Sequence, residues 1–60
     1  MDICEAMLRY RAKNRLTQKE CAEKIGVTKT TWTIWETGRQ RPTKANEMKL
    51  KLLFEEEKNE

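Results

Sequence analysis

The sequence predicts an all-α domain, a compact bundle of four or at most five short helices. Three observations carry this expectation. Apolar residues recur at three- and four-residue spacing instead of alternating, helix start and stop signals punctuate the chain at short intervals, and 60 residues hold one small core. With 38% charged residues and a mean hydropathy of -0.99 the chain is very polar, but periodic apolar clustering argues against disorder.

Ile3, Cys4, Met7 and Leu8 recur on one helix face and Asp2 suits an N-cap, so a first helix is expected from about residue 2 to Lys13. In the "KNR" that follows, Asn14 is the residue best able to take a left-handed C-cap. The second helix, about 17–25, is sharply bounded: Thr17 and Glu20 form a capping-box pair, Leu16 and Cys21 sit at hydrophobic-staple positions, and Gly26 is placed to end it. Its inward face is Cys21, Ala22 and Ile25.

Thr28 caps a third helix, about 28–37, with Val27 and Trp32 at the staple positions and Gly38 as the stop. The connection to the second helix is so short that the two must cross at a large angle, which is the helix-turn-helix arrangement with the second of the pair projecting. After "RQRP" a fourth helix starts at a Thr43 cap and runs through Met48, Leu50, Leu52, Leu53 and Phe54 into an acidic tail, residues 55–60. Repeats and long linkers are absent from the sequence, so residues 1–60 are expected to form a single domain.

The net charge of +3 hides an asymmetry: residues 1–44 hold ten Lys/Arg against five Asp/Glu, and residues 45–60 hold three against five. The basic part is the one to set against a polyanion, the alternative being a solvated charged surface. No apolar run approaches the roughly 20 residues needed to cross a bilayer, and "MDICEAMLRY" is acidic where a signal peptide is basic, so an intracellular, cytoplasmic location is expected without membrane contact. Cys4 and Cys21 lack paired metal-ligand spacing and the chain has no histidine. They read as reduced core thiols; no metal, cofactor or catalytic centre is expected, and the chain does not read as an enzyme.

On a helical wheel Thr28, Thr31, Trp32 and Trp35 share one side of the third helix, while Lys29, Thr30, Thr33, Ile34 and Thr37 spread over the other. A domain this small has few other large residues, so Trp32 and Trp35 are expected inside. The outward threonines and Lys29 can bond phosphates or base edges, and a threonine or isoleucine methyl can pack on a thymine methyl. Ile34 stands out as an aliphatic residue on the outward side. It either packs at the edge of the fourth helix, touches thymine, or serves a protein interface.

The stretch "LTQKECAEKIGVTKTTWTIWETGRQRP", residues 16–42, resembles the Xre-type helix-turn-helix family, which includes the lambdoid phage repressors and Cro proteins. LTQ, Ala22, the IGV turn, Thr28 with Thr31, the WE pair and G-R-x-R-P carry the likeness, which extends over roughly residues 3–54. The resemblance implies a lambda-repressor-like domain that binds double-stranded DNA through its third helix, usually as a dimer on a two-fold operator. It implies a phosphate contact and a bracing role for Gln18, base or flanking-phosphate contacts for Lys29, Thr30, Thr31 and Ile34 with Thr33 beside them, and backbone contacts for Arg39 and Arg41. It also implies an ion pair between Arg11 and Glu36, read as structural.

Two departures from the family pattern stand out. Arg15 occupies a position before Leu16 where the family often has glycine, which shifts the turn onto Asn14. No fifth helix, which often contributes to the family's dimer, is expected, because "EEEKNE" follows directly on Phe54, and neither a separate effector domain of a self-cleaving repressor nor an oligomerisation domain is expected. The candidate dimer surface is therefore helix 4, where Met48, Leu50, Leu52, Leu53 and Phe54 exceed one inward stripe; the alternative is that a sparse core uses all five. The expected function is a sequence-specific transcription regulator, a repressor of the kind found in phages, mobile elements and bacterial chromosomes. The alternative is a protein-interaction module on the same fold, such as an antitoxin, co-activator or small phage-encoded inhibitor.

Overall fold

The computed structural model describes residues 2–58, of which 57 and 58 are described by their backbone only. Four helices follow one another: α1 (Ile3–Asn14), α2 (Gln18–Ile25), α3 (Lys29–Glu36) and α4 (Lys44–Lys58). No strand occurs among the described residues. α3 packs on α2 and α1, and α4 closes the bundle against α1 and α2.

The starts follow the local chemistry. Thr17 Oγ1 accepts the Glu20 N–H at 3.1 Å while Glu20 Oε1 accepts the Thr17 N–H at 2.8 Å, completing a capping box. Those bonds hold the Glu20 carboxyl below its ordinary range. Thr28 Oγ1 accepts from the Thr31 N–H at 3.2 Å, and Thr43 Oγ1 accepts from the Asn46 N–H at 3.3 Å. Asp2 occupies the N-cap position of α1 but its side chain caps nothing; only its carbonyl takes part, accepting the Ala6 N–H at 3.1 Å.

Three helices end by one device, in which an N–H two or three residues past the helix returns to a carbonyl five positions back. The pairs are Leu16 to Arg11 at 3.0 Å, Val27 to Ala22 at 3.0 Å and Arg39 to Ile34 at 3.1 Å. The residue before each of these donors must be left-handed. Gly26 and Gly38 meet that demand at φ of 74° and 78°, whereas at the first site Arg15, and not Asn14, takes it at φ 53°. Asn14 stays helical and spends its side chain on α1 itself, donating from Nδ2 to the Tyr10 carbonyl at 2.8 Å. The tail expectation is also corrected. α4 continues through Lys58, because Glu and Lys are strong helix formers and nothing after Phe54 breaks the ladder; Asn59 and Glu60 lie outside the described residues.

The core joins Met7 of α1, Cys21, Ala22 and Ile25 of α2, Trp32 and Trp35 of α3, and Leu50 of α4. Trp32, Met7, Leu50 and Cys21 are wholly enclosed. Around them Ile3, Tyr10, Leu16, Val27, Ile34, Leu53 and Phe54 pack at partial burial, with the Tyr10 and Phe54 rings 5.4 Å apart. Leu8 departs from the expected face and is exposed, since α1 turns Met7 and Arg11 inward and leaves Leu8 one step around the helix. Burial pushes both thiols above their ordinary pKa, and both cysteines are free. The Cys4 thiol donates to the Glu36 carbonyl.

Among the described residues one charged side chain lies inside. The Glu36 carboxylate is 4% exposed and accepts four hydrogen bonds, two on each oxygen. Arg11 of α1 donates from Nε to Oε2 at 2.8 Å and from Nη2 to Oε1 at 3.0 Å. Gln18 of α2 donates from Nε2 to Oε1 at 2.9 Å, and Trp32 of α3 donates from Nε1 to Oε2 at 2.8 Å. Burial raises the carboxyl pKa, but the bonds from Arg11, Gln18 and Trp32 and the Arg11 charge outweigh it, so the net shift is downward; the same pairing raises Arg11. No buried side-chain nitrogen or oxygen among the described residues lacks a partner.

Three substitutions carry stability outcomes. Because the folded pKa of Glu36 lies below its ordinary 4.5, the stabilisation it confers is complete above that value and is lost as pH falls through the lower folded value. Glu36→Gln should therefore flatten the acid limb of a stability-against-pH curve measured by urea melts, and an unchanged limb would contradict the assignment. Glu36→Ala strands Arg11 and the two neutral donors at a cost of about 3 kcal/mol, close to all that so small a core supplies, so circular dichroism should find it largely unfolded. Arg15→Gly relieves the left-handed backbone strain and should raise the urea midpoint, by about 0.5–1 kcal/mol in stability.

Candidate nucleic-acid interface

α2 and α3 are separated by Gly26, Val27 and Thr28, and the left-handed Gly26 turns the chain between them. α3 has eight residues, which at 1.5 Å each make a rod roughly 12 Å long. Trp32 and Trp35 anchor it from below with Glu36, and these three are the buried residues of the helix. The remaining side chains differ in how freely they can meet a ligand.

Lys29 and Thr30 are exposed at the start of α3 and make no side-chain hydrogen bond among the described residues. Thr31 is half-buried, its hydroxyl 3.0 Å from that of the capping Thr28. Thr33, expected on the outward side, is half-buried and donates to Gln18 Oε1 at 3.0 Å. Thr37 bonds back to the carbonyls of Thr33 and Ile34 at 2.9 and 3.2 Å. Ile34, also expected outward, is half-buried and packs against the core cluster. The chain after α3 folds back beside it, so that Ile34 shares a shallow depression with Thr31, Trp35, Gln40, Arg41 and Thr43.

Gln18 holds the centre of this arrangement. Its amide oxygen takes the Thr33 hydroxyl and one amide hydrogen goes to Glu36, leaving a second N–H to donate. The amide orientation is set by the network: a reversed group would aim its oxygen at the carboxylate. Gln18 thus ties the first turn of α2 to Thr33 in the middle of α3 and to Glu36 at its end, which fixes how α3 projects.

Electrostatics divide the surface in a useful way. Lys29 stands at the first position of α3, and Arg39 and Arg41 are exposed just beyond its end, while the residues between are neutral apart from the enclosed Glu36. Cations at both ends of a neutral, hydroxyl-bearing rod match a groove flanked by two phosphate strands. Gln40 carries no signal in the sequence pattern, and Thr43 reads there only as a helix cap. Their nearness to Ile34 depends on the fold of the 37–43 connection, for which the sequence carries no periodic signal.

Among the described residues no group of His, Cys, Asp and Glu is placed to hold a metal ion, and no helix is long and apolar enough to cross a membrane. No curated protein and no solved structure matches the chain. A family model described as a helix-turn-helix domain matches residues 6–48, which span α1, the α2–turn–α3 unit and the first turn of α4. The chain belongs to the helix-turn-helix domain family, a family of DNA-binding domains.

Proposed function

We propose that the chain is a sequence-specific regulator of transcription, a repressor of the Xre and Cro-like kind, that inserts α3 into the major groove of a two-fold operator. The observation that carries this reading is the pair of free residues at the leading end of a braced helix. Lys29 and Thr30 project from the first turn of α3, and the Glu36 and Gln18 bonds hold that helix at one angle. In this geometry Lys29 reaches guanine acceptors or a phosphate, and the Thr30 methyl and hydroxyl meet a base edge. Arg39 and Arg41 meet backbone phosphates, joined by the remaining Gln18 N–H. Thr31 and Ile34 lie along the side of the groove-facing strip, and Thr33 supports it from behind.

Repression then needs only occupancy of the operator. The protein-interaction alternative drew on an outward Ile34; with that side chain packed on the core, α3 offers a partner protein little apolar surface.

A duplex selection followed by titration at several salt concentrations tests the reading. Three cations on phosphates predict a slope of log K against log salt near -3 per subunit, roughly 0.9 for each contact. Lys29→Ala should weaken binding about tenfold and, if the ammonium meets phosphate, reduce the slope by about 1. Thr30→Ala should change preference at one base position, by about 1 kcal/mol, whereas Thr33→Val should lower stability by a similar amount and weaken all duplexes alike. Absence of binding to any selected duplex, or binding indifferent to salt and to Lys29→Ala, overturns the reading.

A further inference from the structure

Of the five α4 residues expected at a second subunit, Leu50 is wholly enclosed and cannot meet another chain, and Leu53 and Phe54 pack against the core, which leaves Met48 and Leu52 facing outward. The depression on the flank of α3 offers a ligand more chemistry than that pair. Thr31, Ile34 and Trp35 line it from the helix, and Gln40, Arg41 and Thr43 from the connection beside it. Three of these are engaged: Trp35 is buried, the Thr31 hydroxyl meets that of Thr28, and Thr43 caps α4. Gln40 is exposed, and its amide makes no hydrogen bond among the described residues. Ile34 packs against the core with one side and faces the depression with what remains exposed.

Ile34 follows Thr30 by four residues, so it stands on the same stripe of α3, about 6 Å further along the axis at 1.5 Å per residue. One base-pair step of B-form DNA is about 3.4 Å. With α3 in a major groove, Ile34 therefore meets a pair one or two steps beyond the one that Thr30 meets. Arg39 and Arg41 flank Gln40 in the chain, and phosphate contacts by these two hold Gln40 at the edge of the same groove. A glutamine amide sets a carbonyl oxygen beside an N–H donor, which matches the N6–H and N7 of adenine. An isoleucine methyl matches the C5-methyl of thymine, and an A·T pair presents both features on its major-groove edge. Guanine replaces the N6–H donor with an acceptor and cytosine has no methyl, so the edge of a G·C pair fits worse.

We propose that Gln40 and Ile34 together read one A·T pair, Gln40 through two hydrogen bonds to adenine and Ile34 through the thymine methyl. Resting on the operator reading, this pairing adds a base-reading residue from the connection after α3 to those of the helix itself. Lys29 and Thr30 then set preference at the leading end of α3, and Gln40 with Ile34 sets it one or two pairs away. Arg41 lines the same depression, and an arginine pairs best with guanine. A guanine preference at this pair that is lost with Arg41→Ala is therefore the competing outcome.

Base analogues placed in a duplex selected from a random pool test this, because each removes one contact without altering the protein. At one A·T pair, uracil in place of thymine removes only the methyl and should weaken wild-type binding about fourfold, the worth of one buried carbon. At the same pair, 7-deazaadenine in place of adenine removes the N7 acceptor and should weaken it about tenfold. Gln40→Ala should abolish the second effect and keep the first, and Ile34→Ala should abolish the first and keep the second. If Ile34→Ala unfolds, the two analogues with the wild type and Gln40→Ala decide. Wild-type binding indifferent to both analogues at every pair overturns the proposal, as does a 7-deazaadenine effect that survives Gln40→Ala, or a guanine preference lost with Arg41→Ala. In each of these cases, salt-dependent binding that weakens with Lys29→Ala leaves the operator reading intact. Failure to bind any duplex overturns that reading, and this pairing with it.

Discussion

The buried carboxylate of Glu36 is the constraint on which the rest of this domain depends. An ionised group enclosed in so small a core is tolerable only if its lone pairs are filled, because an unpaired charge in low dielectric costs more than the domain's margin of stability. Four donors are required, and α3 itself supplies just one of them, the Trp32 indole. The others come from α1 and α2, so satisfying the charge brings three helices to one point. The four bonds are made together only when the three helices are set at the positions seen here.

That arrangement decides which part of α3 is available to a ligand. Gln18 is committed at its oxygen to Thr33 and through one N–H to Glu36, and in bracing α3 it removes the Thr33 hydroxyl from the surface. The tryptophans hold the underside, Ile34 packs against the core cluster, and the connection after the helix lies beside it. What remains free is the leading end, Lys29 and Thr30. Rigidity and economy are linked here: most of an eight-residue helix is spent on holding position so that its first turn can be presented with a defined orientation.

α4 shows the same division at lower density. It contributes one wholly enclosed residue, Leu50, and two supporting ones, Leu53 and Phe54, which closes the bundle over α1 and α2. Its opposite side carries Met48 and Leu52 between charges of opposite sign. The two faces of this helix give the fold a core element and an outward surface distinct from the leading end of α3.

The sequence by itself determined the helical class, the order of the helices and most of their limits. Those signals act within one turn: Thr17 with Glu20, Thr28 with Thr31, Gly26 and Gly38 all bind or bend backbone only a few residues away, so neighbouring letters suffice to read them. It also placed Trp32 and Trp35 inside, because size leaves so small a core few other choices. The tertiary structure alone decided the rest. That Arg15 and not Asn14 turns left-handed, that Met7 enters while Leu8 stays out, and that Leu50 is enclosed while Leu52 is exposed depend on how whole helices rotate against one another. The retreat of Thr33 depends on a partner 15 positions away, and the four bonds on Glu36 reach over separations of 4, 18 and 25 positions. A one-residue step turns a helical side chain by about 100°, so the local pattern identifies a helix and its broad face, and only the packed neighbours select which of two adjacent residues looks inward.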